Sequence, residues 1–524
     1  MGSSTTKSAE VSTASASPPR TVDGKGVDEA FDFIKRHGDG IGPLLPQALG
    51  KLKRKLIFSI LGLLLAINLM LFIDKATLGY AVLLGLMEET HIGNEQYNNL
   101  NTLFYVGYVI GQIPGQYLIQ RIPLRIYVSS SVFLWSAIIF LHCTARDYGG
   151  LIALRLVLGI VESTVVPALE MTMTMFFTPE ELHALQPIFW ISCVGSPIPT
   201  GLLGYALLFS KSPIRPWKFF MITTGGLSFL VSLWSWLLYP SNPMTARFLT
   251  TEEKVHVIRR VHDSTRSAIE QKVFKRYQAR EALLDPVSWL FALSSFTLML
   301  SNNLTFQQSL LYLQIGVSDL GSTLVWVAAG GFAMVVAIIA SLLLKLVPNY
   351  SAYWAAIWCL PAIAGGIGMI ALPWDRTIPL LACLLLACNT WGMTYIISLG
   401  WTASSCAGYT KKLTRSTMFM AAYGVSNIIS PQMWKRGGPR YYGTWIVQIV
   451  ISWTGTAVFL LVIRWILARR NKERELWIEQ QIAAGNLGTG FVEGRGDEEG
   501  RIAEVDISML DLTDLENKFF IYPL

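Results

Sequence analysis

The feature that most constrains this chain is a series of twelve apolar segments arranged as two sets of six. They fall at 56–87, 99–120, 126–144, 149–176, 184–210 and 217–239, and again at 286–312, 321–346, 352–373, 378–403, 414–434 and 441–467. Each is long enough for the roughly 20 residues that carry a helix across hydrocarbon. Inside a bilayer no water is available to the backbone, so every such segment must close its own hydrogen bonds as a helix. Composition agrees: the chain is 52% hydrophobic and only 15% charged, against about 25% charged in soluble domains. A soluble enzyme is excluded. The charges gather before Leu56, from Ser241 to Asp285 and after Arg469. The reading is an all-α polytopic membrane protein of twelve transmembrane helices in two six-helix halves. It has a tail over 1–55, a first half over 56–239, a connector over 240–285, a second half over 286–467 and a tail over 468–524.

A formal net charge of +7 does not point to nucleic acid, because a chain interrupted by apolar spans presents no continuous basic face. Topology absorbs the charge instead. If the N-terminus is inside, the cytosolic segments collect Lys51, Lys53, Arg54, Lys55, Arg121, Arg125, Lys411, Lys412, Arg415, Arg469, Arg470 and the basic residues of the connector. Fewer fall outside, so both tails and the connector are expected in the cytosol. The first 46 residues, rich in Ser, Thr, Ala and Pro, read as a disordered tail, with the first span as insertion signal. Within the connector, Thr250-Thr-Glu-Glu253 reads as a capping box opening a short amphipathic helix.

The six cysteines lie in or beside apolar runs without CxxC spacing, and the six histidines are scattered. Neither pattern supports a metal site, and no cofactor is expected. No GxxxxGK[ST] occurs, which excludes a P-loop motor.

Charge is costly where lipid should be, about 2.5–3.5 kcal/mol per residue on insertion scales. Away from the span ends five residues carry it, all in the first half: Asp74 and Lys75 in the first span, and Arg155, Glu162 and Glu170 in the fourth. Arg155 and Glu162 are seven apart, so they share a helix face roughly 10 Å apart along the axis, with Gly159 between them. A cation, a gap and a carboxylate on one stripe suit an anion site coupled to a proton site. The alternative is a charge ladder tying Lys75 to Glu162 and Asp74 to Arg155. Glu170 reads as a helix-end or gate charge. The second half offers amides instead: Asn302, Asn303, Gln307 and Gln308, then Asn389 and Asn427. Such amides serve interhelical bonds as readily as substrate contact. Paired breaks at Gly195-Ser-Pro197-Ile-Pro199 and Asn427-Ile-Ile-Ser-Pro431 suggest either helices facing a wet centre or structural kinks.

Several stretches together resemble one family. Ile73-Asp-Lys-Ala-Thr-Leu-Gly-Tyr-Ala81, Gly107-Tyr-Val-Ile-Gly-Gln-Ile-Pro-Gly115 and Arg155-Leu-Val-Leu-Gly159, with Glu162 and Pro167, resemble the anion:cation symporter family of the major facilitator superfamily. Ala407-Gly-Tyr-Thr-Lys-Lys412, Asn427-Ile-Ile-Ser-Pro431 and Asp511-Leu-Thr-Asp-Leu-Glu-Asn-Lys-Phe-Phe520 are similar to its fungal allantoate and nicotinate permease branch. The resemblance implies the major facilitator fold and proton-coupled movement of a small organic anion by alternating access. It implies that Asp74 and Glu162 handle protons, and that Lys75, Tyr108, Arg155 and Asn427 contact substrate. Lys75 stands where bacterial members usually carry Arg, which loses bidentate recognition.

The expected function is therefore secondary active transport of a carboxylate or vitamin-like acid by a monomer, most simply as an importer at a fungal plasma membrane. An efflux carrier for a secondary metabolite and a non-transporting nutrient sensor on a carrier scaffold remain the alternatives.

Overall fold

The computed structural model describes residues 21–22, 33–34, 36–37, 41–42, 44–265, 274–347, 350–435, 438, 440–483, 489–493, 502–506 and 512–524. Most of the expected disordered tail lies outside these residues. Its last part does not: Pro46–Leu56 is helical and runs into the first span, which extends over Pro46–Leu83. Pro46 supplies the preset φ that a first helical position favours. The helix then buries Leu52 and Leu56 while Lys51 and Arg54 stay exposed, so an amphipathic pattern extends the element ten residues beyond the apolar run.

Among the described residues nine helices are long and apolar enough to cross a membrane: Pro46–Leu83, Leu124–His142, Tyr148–Phe176, Ile188–Leu208, Pro216–Leu238, Leu320–Leu346, Ser351–Ala371, Thr377–Ser404 and Tyr442–Gln481. A tenth, the seventh span, is Pro286–Gln314, bent 67° from the connector helix Arg276–Leu284. The second span, Asn94–Arg121, and the eleventh, Tyr409–Ile429, complete the twelve. These two, taken over their full helical length, are more polar than the other ten. They pack on each other across the two halves, with Gly424 set against Val109 and Tyr108, and so keep their polar faces from lipid.

The helix Pro46–Leu56 and the C-terminal residues 512–524 both meet the connector. Thr250 and Glu253 form the capping box, Thr250 N donating to Glu253 at 2.9 Å and Glu253 N to Thr250 at 3.3 Å. The helix it opens, Thr251–Thr265, is tied to the first half by Lys55–Glu253 at 2.7 Å and Arg260–Glu181 at 2.8 Å. The last span continues as helix to Ala483, and residues 512–524 return to dock on the second half. Three short strands, Thr21–Val22, Thr489–Glu493 and Ile502–Asp506, pair in one small sheet.

Candidate substrate site

The second and fourth spans cross in backbone contact. A Cβ on Gly107 would stand 2.1 Å from the Leu156 carbonyl oxygen, and one on Gly159 1.9 Å from that of Phe104. Gly159 therefore opens no gap for a ligand between Arg155 and Glu162, contrary to the expectation above. Backbone from the second span fills it. Just beyond, the fourth helix breaks, ending at Glu162 and resuming at Val165. Pro167 has no N–H to return to the Ser163 carbonyl, and its ring crowds that carbonyl. The Gln112 amide takes the orphaned oxygen at 2.5 Å. This break places Glu162 at the end of a helix segment in the middle of the membrane domain.

The structure divides the intramembrane charges into two groups. Asp74 and Arg155 point into the first half itself. Asp74 is fully buried and accepts from Ser228 of the sixth span at 2.9 Å, its other oxygen having no partner. Arg155 is buried with two guanidinium nitrogens unpartnered, in electrostatic reach of Glu162, Tyr97 and Asp74. Lys75 and Glu162 turn toward the seam between the halves. Neither Glu162 oxygen has a hydrogen-bond partner although the residue is only 1% exposed. It lies within electrostatic reach of Lys75 and of Arg155. The charge ladder is therefore not closed. Asp74 and Lys75 separate because consecutive helical residues are about 100° apart.

A run of aromatic rings drawn from both halves begins and ends at Lys75. Phe72 meets Trp190 at 6.1 Å, Trp190 meets Tyr395 at 6.3 Å, Tyr395 meets Tyr423 at 5.6 Å and Tyr423 meets Tyr108 at 5.6 Å. The Lys75 ammonium closes it, 5.6 Å from the Tyr108 ring centre and 5.1 Å from that of Phe72. Five spans contribute, so the circuit exists only when the halves come together. Cation–π attraction holds the ammonium without neutralising it. Sequence reasoning found Lys75 and Tyr108 but not Phe72, Trp190, Tyr395 or Tyr423.

Asn427 sits elsewhere than against this circuit's cation. Its oxygen accepts from Asn302 at 2.6 Å and its nitrogen donates to the Tyr423 carbonyl at 2.7 Å. Asn302, at the break in the seventh span between Met299 and Asn303, also donates to the Tyr105 hydroxyl at 3.0 Å. Gln307 to Asn98 at 2.7 Å, Gln432 to Thr102 at 2.8 Å and Lys435 to Asn99 at 3.0 Å continue the same polar seam. These contacts close the halves on the face opposite the connector. Near the connector the Tyr409 hydroxyl reaches the Met171 sulfur at 3.9 Å. Glu170 takes both its bonds from the Gln186 amide, at 2.7 and 2.8 Å. The break at Pro197 faces the eighth span, with Gly195 against Met334 and Gly330 against Ile198. Among the described residues no three His, Cys, Asp or Glu side chains cluster as metal ligands would.

Twelve helices in two halves around a charged, aromatic-lined centre define a secondary membrane transporter, and the match of residues 64–431 places this chain in the Major Facilitator Superfamily. It is 53% identical over 504 residues to an uncharacterized transporter of Schizosaccharomyces pombe, covering 95% of this chain and 88% of that one. It is 45% identical over 505 residues to the high affinity cysteine transporter of Saccharomyces cerevisiae, covering 95% of each. The allantoate permease of that yeast is 25% identical over 514 residues, covering 95% of this chain and 90% of the permease. Among solved structures, a D-xylose-proton symporter superposes with a TM-score of 0.59 at 13% identity, covering 77% of this chain and 97% of its own. That likeness concerns the fold.

Proposed function

We propose that this chain imports a small carboxylate-bearing solute with protons, and that a small amino acid such as cysteine is the substrate to test first. The observation that carries the reading is Lys75: an ammonium in the aromatic circuit at the seam, held by ring faces rather than closed against an acid. A carboxylate entering from either side would complete it. The 45% identical cysteine transporter supports a substrate of that size and charge. Arg155, set back in the first half, contributes positive potential; Tyr108 forms a wall; Asn427 belongs to the closure opposite the connector. Asp74 suits proton carriage, since it is buried and one of its oxygens has no partner. The connector face, which carries most of the basic residues, is assigned to the cytosol of a plasma-membrane protein.

The test is net uptake and counterflow of labelled L-cysteine in the same vesicles, under reducing conditions, for wild type and Asp74→Asn. The wild type should accumulate cysteine uphill and lose that accumulation with a protonophore. Asp74→Asn, fixed in a form resembling the protonated state, should still exchange substrate while its net accumulation no longer follows external pH. Uphill accumulation by wild type that survives a protonophore would refute the coupling.

A further inference from the structure

We infer that the central site is two-ended, with Glu162 receiving the ammonium of a zwitterionic α-amino acid while Lys75 receives its carboxylate. This deepens the transport reading above and rests on it.

The inference begins from a surplus. A proton-coupled anion site needs positive charge and one carboxylate for the proton, the role given to Asp74 above, yet this seam holds a second carboxylate, 1% exposed, with neither oxygen bonded. Burying an unpaired carboxylate is among the costliest arrangements a protein can keep, so a charged partner is expected in some state of the cycle. The cations already in the chain do not supply it. Lys75 and Arg155 act on Glu162 through space, but neither bonds it. The Lys75 ammonium is engaged with the Phe72 and Tyr108 rings, and Arg155, whose field is shared among Glu162, Tyr97 and Asp74, makes no hydrogen bond to the Glu162 oxygens.

An α-amino acid brings the two missing charges on one carbon. Its carboxylate would pair with Lys75 and its ammonium with Glu162. The tyrosines that line the seam, Tyr105, Tyr108 and Tyr423, all lie within reach of the Glu162 charge, and ring faces of this kind favour a cation as well. The pairing is neutral overall. A substrate carrying only one of the charges would leave the other charged residue uncompensated, and a site built around a polar group rejects the analogue that lacks it far more strongly than shape alone would. With Glu162 occupied by the ammonium, the proton travels on Asp74, which keeps its own bond from Ser228.

The experiment is competition against labelled L-cysteine uptake, under reducing conditions, by L-cysteine, by 3-mercaptopropionate, which lacks the ammonium, and by cysteamine, which lacks the carboxylate. In wild type, each one-ended analogue should compete about tenfold or more worse than cysteine. Glu162→Gln should shrink the gap between cysteine and 3-mercaptopropionate to about threefold or less, and Glu162→Asp should restore part of it. Lys75→Met should do the same for cysteamine. Equal competition by cysteine and 3-mercaptopropionate in wild type overturns the two-ended site while leaving transport intact, and this arm needs no variant to fold. Unchanged discrimination in a Glu162→Gln protein that still transports overturns it as well. Absence of uptake of labelled cysteine by wild type defeats the transport reading and this inference together.

Discussion

Asp514 closes the C-terminal segment onto the second half, and its removal should release that segment. The side chain is fully buried. It accepts from the equally buried Lys411 ammonium at 2.7 Å, from the Tyr522 hydroxyl at 2.8 Å and from the Ala407 N–H at 3.3 Å. Beyond it, Asn471 brackets the Tyr522 backbone with bonds of 2.8 and 2.9 Å, and Trp401 donates to the Pro523 carbonyl at 2.7 Å. Breaking a buried pair by deleting one partner costs about 3–5 kcal/mol. Lys411 keeps Glu281 at 2.7 Å, so Asp514→Ala belongs at the lower end, about 3 kcal/mol, or roughly a hundredfold in the docking equilibrium. The bonds that remain contribute about 1 kcal/mol each, too little to hide such a change.

The assay is carboxypeptidase release of residues from the C-terminus of purified protein, with the variant losing them about a hundredfold faster where docking is fast relative to cleavage. An unchanged rate would refute the assignment of the clasp to Asp514. Acidity gives a second reading. Burial alone would raise the Asp514 carboxyl, but Lys411, Arg415 and the Tyr522 hydroxyl outweigh it and hold the group below the usual carboxylate range. A depressed carboxyl stabilises docking above its unfolded value and loses that contribution as pH falls through the folded one. Release from wild type should therefore accelerate only below about pH 4, and Asp514→Asn should flatten that dependence.

Two further outcomes follow from the helix contacts. Gly159→Ala puts a methyl 1.9 Å from the Phe104 carbonyl oxygen, where ordinary contact begins at 3.4 Å; the spans must part by about 1.5 Å, at a cost of about 1–3 kcal/mol, and a melting temperature equal to wild type would show that the crossing is looser than drawn. Asn302→Ala removes bonds to Tyr105 and Asn427, so Cys193, kept as the lone cysteine, should react several times faster with a membrane-impermeant thiol reagent applied outside. A cysteine placed at Thr251 should stay unlabelled in the same intact cells; labelling there would reverse the orientation.

How much of this was legible depends on which physical signal each residue leaves in the chain. Apolar runs and their six-plus-six spacing survive in one dimension, so the fold could be read. The polar second and eleventh spans could be placed only by the apolar stretches inside them, and the true start of the second, at Asn94, lies in an amide-rich segment that resembles a loop. Charges are rare enough in such spans that Asp74, Lys75, Arg155 and Glu162 announced themselves. What the sequence does not carry is direction: a 100° step sends Asp74 toward Ser228 and Lys75 toward the Tyr108 ring. Nor does it separate an interior aromatic from one facing lipid, because both are apolar and large. Phe72, Trp190, Tyr395 and Tyr423 were hidden among the chain's many rings for that reason, although Phe72 holds the cation and the other three complete the circuit. Asn427 shows the reverse case. An intramembrane amide signals that a polar partner exists but not which one, and here the partners are Asn302 and the Tyr423 backbone. The residues most easily found are thus those whose burial is costly alone, while the enclosure that makes the cost bearable is built from residues that cost nothing to bury, and only the assembled halves bring the two together.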